Sequence, residues 1–221
     1  MQGGHSTSDV TPDQASGQNP RRHPRSTVLK AATVHPLLRE AGFLIGNVSQ
    51  LGVMGRCALP LSLSQCVHLT FDGREFLAAE VRWAQGDRYG LQLAEPRVGV
   101  PGLSDWATID RETIEGMAAR PQRIPTDLPA TLVTTLPMLP GLVRNLSRGG
   151  MLIEIGTRLR EGERLLVKMR DQPTFIGRVQ WSKQGCAGLE FAHELPSEIV
   201  PDGGLSTERP ADDRNDVRME E

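Results

Sequence analysis

Two short runs hold the side chains best suited to chemistry: Arg21-Arg22-His23-Pro24-Arg25 and, about twenty positions on, Asn47-Val48-Ser49-Gln50-Leu51-Gly52. The chemistry they suit is recognition. The planar fork of arginine matches the O6 and N7 acceptors on one edge of guanine, and arginine also stacks on purine faces and neutralises phosphate. Asn47 offers a side-chain acceptor and two donors, and Ser49 a hydroxyl. Gly52 permits either a positive-φ turn or a close backbone approach. If the arm carrying Arg21, Arg22 and Arg25 folds over the turn of Asn47, Ser49 and Gly52, a phosphate-bearing purine is gripped from two sides. Either half alone is bland, since arginines in a polar leader are solvated and Asn-x-Ser is more often a plain turn than a site.

The elements that would position these groups can be read from the residue pattern. Residues 1–19 are polar and Gly/Pro-rich, with almost nothing to bury, and are expected to be a disordered leader. From Thr27 onwards short apolar runs alternate with turn residues, as in a small antiparallel barrel or sandwich. Val67-His68-Leu69-Thr70-Phe71 alternates as a half-buried strand should, with His68 facing outwards, and Asp72-Gly73 supplies a turn. Leu77, Ala79, Val81 and Trp83 share one face of the next strand, and Gln85-Gly86-Asp87 turns it into a last strand bearing Tyr89, Leu91 and Leu93. On this alternation Trp83 and its counterpart Trp181 are core residues. Beyond Pro96, Ser104 can cap a helix that runs to about Ala119, with Trp106, Ile109, Ile114 and Met117 on one face within an arc of about 140°.

The chain then repeats itself. Asn47 and Asn145, Ser49 and Ser147, Gly52 and Gly150, and Trp83 and Trp181 are each 98 positions apart (145 − 47 for the first pair), with no gap needed. Two copies of one fold are therefore expected. The second copy departs at its arm, where Ala119 stands in place of Arg21 and leaves Arg120 and Arg123.

Arg-x-x-x-Arg followed by Asn-x-Ser-x-x-Gly and a run of strands resembles the PilZ domain, the bacterial receptor for cyclic di-GMP. The resemblance covers residues 20–96, and a second copy covers 119–196. It implies a mainly β protein with two six-stranded antiparallel PilZ-like barrels, joined by a helical linker over 97–118 and flanked by the leader and a disordered acidic tail at 197–221. It also implies a non-enzymatic receptor that binds cyclic di-GMP through Arg21, Arg22, Arg25, Asn47, Ser49 and Gly52 of the first copy and passes the signal to a protein partner by changing shape. Arg120, Arg123, Asn145, Ser147 and Gly150 are expected to bind weakly or not at all, because the loss of one charged hydrogen-bond donor costs about 1.5–3 kcal/mol, and the second copy then serves as a packing or partner surface. Two rival readings are a barrel that serves only as a protein-interaction module and a single-stranded nucleic-acid binder. Scarce aromatics for base stacking speak against the latter.

Composition limits the remaining classes. A net charge of -2 gives no general attraction to nucleic acid or membrane. Cys57, Cys66 and Cys186 are an odd count without a CxxC pair, and His68 beside Cys66 falls short of the four ligands of a structural zinc; no metal or cofactor is expected. There is no Ser-His-acid order and no GxxxxGK[ST] loop, so an enzyme is not expected. With no apolar run near the length of a membrane span and no secretion signal at the N-terminus, a cytoplasmic protein is expected.

Overall fold

The computed structural model describes residues 25–98, 107–108 and 123–200. The described residues form strands and turns, with no helix among them. The first half of the chain supplies β1 (Ser26–Ser49), β2 (Gly52–Cys57), β3 (Cys66–Thr70), β4 (Leu77–Gln85), β5 (Arg88–Leu93) and β6 (Arg97–Val98). The rest of the chain supplies β7 (Ala107–Thr108), β8 (Ile124–Thr135), β9 (Leu139–Ser147), β10 (Gly150–Glu154), β11 (Arg164–Met169), β12 (Phe175–Lys183) and β13 (Cys186–Phe191).

One strand organises the rest. β1 is 24 residues long, several times an ordinary strand, and its two halves belong to different rings. Its C-terminal half pairs with β2 and with β8, and the circuit β1-β2-β5-β4-β3-β8 closes as a six-stranded antiparallel barrel. Its N-terminal half pairs with β9 and β11, and β1-β9-β10-β13-β12-β11 closes a second ring. Each ring therefore borrows a strand from the other repeat. Residues 26–36 complete the ring made by β9–β13, and β8 completes the ring made by β2–β5. The exchange is symmetric in register, since Ser26 pairs with Leu146 and the positions equivalent to these, Ile124 and Val48, pair with each other.

The cores follow the exchange. Ala32 and Val34 pack with Val143, Ile153, Val167 and Leu189 in the second ring. Their counterparts Ala130 and Leu132 pack with Phe43, Ile45, Leu69 and Leu91 in the first. A third cluster, Phe76, Val133, Leu166 and Ile176, with Leu37 against it, joins the rings near the point where β1 passes from one to the other. The passage falls at Pro36, the last residue of β1 paired with β11, whose carbonyl accepts from Leu136 N at 2.8 Å. Proline has no N–H to give to a ladder, and a change of partner strands is a place where none is needed.

Several expectations need correction. Trp83 and Trp181 lie outside the cores, 40% and 36% exposed. The reason is a bulge in each strand, between Val81 and Trp83 and between Val179 and Trp181, which places one extra residue on β4 and β12 and reverses the facing of the residues beyond it. Each indole instead covers a glycine of the neighbouring strand: a Cβ on Gly90 would lie 1.9 Å from Trp83 Nε1, and one on Gly188 2.3 Å from Trp181 Nε1. His68 does face away from its own core, yet it is buried, because the other ring covers that side and His35 meets it edge-on at 5.3 Å.

The helix expected from Ser104 to Ala119 lies mostly outside the described residues. Within it, Ala107–Thr108 pair with Arg97–Val98 as two short strands. The leader and most of the acidic tail also lie outside the described residues. Residues 199 and 200, expected in the tail, are instead part of the fold, since Val200 is buried in the core of the second ring with Ile199 packed against it.

Candidate functional site

The polar turns are built alike in the two repeats. Ser49 pairs with Gly52 at the β1–β2 turn and Ser147 with Gly150 at the β9–β10 turn. Each serine hydroxyl donates to the carbonyl of its glycine, at 3.1 Å from Ser49 Oγ and 3.0 Å from Ser147 Oγ. Much of the Asn-x-Ser-x-x-Gly pattern is thus explained by turn geometry. The glycines are required by close approach and not by positive φ, because a Cβ on Gly52 would lie 2.2 Å from Leu91 O and one on Gly150 2.2 Å from Leu189 O.

The arginine arm distinguishes the repeats. Arg25 immediately precedes β1, so it arrives where β1 begins, beside β9, and not where β1 ends. It lines an open cleft of about 500 Å³ on the second ring together with Ser147, Gly150, Gln180, Trp181 and Glu190. That volume suits a small-molecule ligand, for which sites of roughly 300–1,000 Å³ are usual. Arg21 and Arg22 lie outside the described residues. Asn47, Ser49 and Gly52 sit at the far end of the same 24-residue strand, in and beside the first ring. The described arginine of the expected first site is therefore apart from its polar turn and together with that of the other repeat. Conversely, exposed Arg123 directly precedes Ile124, which pairs with Val48, and so approaches the turn of the first repeat; Arg120 lies outside the described residues.

The cleft has a glycine floor, an aromatic wall and mixed charge. Trp181 lies over Gly188, with Lys183 Nζ 5.5 Å from the ring centroid. Gln180 Nε2 donates to Glu190 Oε2 at 2.6 Å. Arg148, inside the turn, donates from Nε to Leu195 O at 3.3 Å and pairs with Glu194 at 3.2 Å, fixing the turn against the chain beyond β13. Asn145 Oδ1 is buried without a hydrogen-bond partner among the described residues. Sequence reading missed Gln180 and Glu190. Their only signal was position, on outward-facing strand sites next to Trp181, and that tryptophan was expected to point inwards.

Among the described residues no group of three or more His, Cys, Asp or Glu could hold a metal ion, and no helix is long and apolar enough to cross a membrane. Cys57 is buried, Cys186 half-buried and Cys66 exposed, all as free thiols.

Compared with known families, residues 119–199 match the model of the PilZ domain. The match falls on the copy whose arm lacks the leading arginine, and it includes β8, the strand lent to the other ring. No curated protein and no solved structure matches the chain.

Proposed function

We propose that the chain, carrying a PilZ domain at residues 119–199, is a non-enzymatic receptor for cyclic di-GMP, and that its principal site joins the arm of the first repeat to the polar turn of the second. Arg25, with Arg21 and Arg22 ahead of it, takes guanine edges and phosphate, while Asn145, Ser147 and Gly150 shape the opposing turn. The observation that carries this reading is the cleft shared by Arg25, Ser147 and Gly150. Adjacent arginine, glycine and tryptophan meet the needs of a purine dinucleotide, with cations for phosphate, an aromatic face, and backbone bare enough to approach. The other pairing, Arg120 and Arg123 with Asn47, Ser49 and Gly52, holds fewer arginines and binds more weakly.

The architecture also suggests a relay. Ligand closing on Arg25 acts directly on the end of β1, and β1 runs through both rings, so a shift of that strand changes how the rings sit on one another and what they offer to a cytoplasmic partner. Calorimetric titration of the intact chain with cyclic di-GMP tests the receptor assignment. Arg25→Ala should abolish the heat of binding while circular dichroism stays unchanged, and undiminished affinity would overturn it.

A further inference from the structure

A cleft that binds a phosphodiester should not, on charge alone, contain a free carboxylate. Glu194 is accounted for by Arg148. Among the described residues Glu190 is in no comparable ion pair: its hydrogen-bond partner is the neutral amide of Gln180, and exposed Arg178 stands across from it on β12, on the side away from Gly150. Glu190 faces outwards on β13, with Gly150 directly across on β10, so the space beside its carboxylate is open on the cleft side. Gln180 holds one lone pair of Oε2 and thereby orients the group, leaving Oε1 and the second lone pair of Oε2 to accept.

Guanine is the base that makes use of such a group. Its Watson–Crick edge presents two adjacent donors, N1–H and the N2 amino group, which a carboxylate accepts together. Adenine presents an acceptor at N1 and would meet the carboxylate lone pair to lone pair. Arginine discriminates on a different edge, through the O6 and N7 acceptors where adenine has a donor at N6, so a carboxylate on the Watson–Crick edge adds a second, independent check. A guanine lying over the glycine floor between Arg25 and Trp181 can be read from both edges.

We propose that Glu190 is a specificity-determining residue of the cleft, reading the N1–H and N2 amino donors of one guanine, with Gln180 as its positioning residue. The inference rests on the cyclic di-GMP reading and deepens it. The first repeat lacks this pair, having Arg82 where the second has Gln180 and Gln92 where it has Glu190. An amide in that place offers a donor as well as an acceptor and discriminates less.

The test is titration of the full chain and of Glu190→Gln with cyclic di-GMP and with cyclic di-AMP. The wild type should prefer the guanine dinucleotide. The variant, which keeps the size of the side chain, should bind cyclic di-GMP at least tenfold more weakly and lose most of its preference over cyclic di-AMP. An unchanged preference, or tighter binding through relief of charge repulsion, would overturn the role of Glu190 while leaving the receptor assignment standing. Failure of the wild type to bind cyclic di-GMP would overturn both.

Discussion

The two repeats carry the same turn, the same tryptophan over the same glycine and the same bulge, yet their surroundings have diverged in a paired way. Beside the second turn stand Arg25, Gln180 and Glu190; beside the first stand Arg123, Arg82 and Gln92. At the contact between the rings the divergence is as marked. Val133 and Leu166 lie in an apolar cluster on one side, whereas their counterparts His35 and His68 meet ring to ring on the other. Likewise Arg164 and Glu40 form an ion pair at 2.8 Å where the equivalent positions hold Cys66 and Met138. The lesson concerns inheritance of a site. Because the first strand of each repeat is exchanged, Arg25 and Arg123 each lie towards the turn of the other repeat and not towards the turn that follows them in sequence.

The largest effect that separates an exchanged from an unexchanged fold should come from the core of a lent strand. Leu132 lies in β8 and is fully buried in the first ring. Leu132→Ala should cost about 2–5 kcal/mol. Hydrogen exchange should show the loss of protection in Val67–Leu69, which β8 pairs with, ahead of β9–β13. Loosening confined to β9–β13 would mean that the repeats fold separately.

Next in size is a pH effect that only one side of the ring contact should show. Burial, with the charge of His35 as a second cause, pushes the His68 pKa down from 6.5 to about 4, and burial also lowers that of His35. The unfolded chain therefore takes up protons before the folded one. Stability is complete above about pH 6.5, falls as the pH drops towards about 4, and is level for His68 below that. At about 1.4 kcal/mol per unit the loss amounts to roughly 3 kcal/mol. His68→Leu, which copies Leu166, should flatten the dependence of denaturant midpoints on pH between 4 and 6.5. A slope as steep as that of the wild type would assign the effect to other groups.

A smaller change should sharpen the difference between the arms. Ala119→Arg restores Arg-x-x-x-Arg to the second arm and should strengthen binding at the turn of Asn47, Ser49 and Gly52 by roughly 1.5–3 kcal/mol, tenfold or more. Calorimetry should then report a second ligand-binding event that Ser49→Ala weakens and Ser147→Ala does not.

Much of this was legible in the sequence, and the remainder was hidden for identifiable causes. Alternation located Leu77, Ala79, Val81 and Leu91 correctly on inward faces, because a strand's own period decides which side it buries. The spacing of 98 positions located both turns. The exchange was hidden, since residues 26–36 would make the same ladder with either repeat and no local residue type records which partner strand was taken. Trp83 and Trp181 were misplaced because one extra residue in a bulge reverses parity, and a bulge leaves little trace in a single sequence. His68 was misjudged for another reason: the outward face of β3 became an inward face once a second ring lay against it.

The central claim is that the arm of the first repeat works with the turn of the second, and tryptophan fluorescence tests it most directly. Trp181 lines the cleft with Arg25, while Trp83 holds the matching place on the other ring. Cyclic di-GMP added to the intact chain should change the fluorescence of Trp83→Phe as it does that of the wild type. The change should vanish in Trp181→Phe and also in Arg25→Ala. A change that persists without Trp181 and disappears without Trp83 would place the arginine arm on its own repeat and contradict the account.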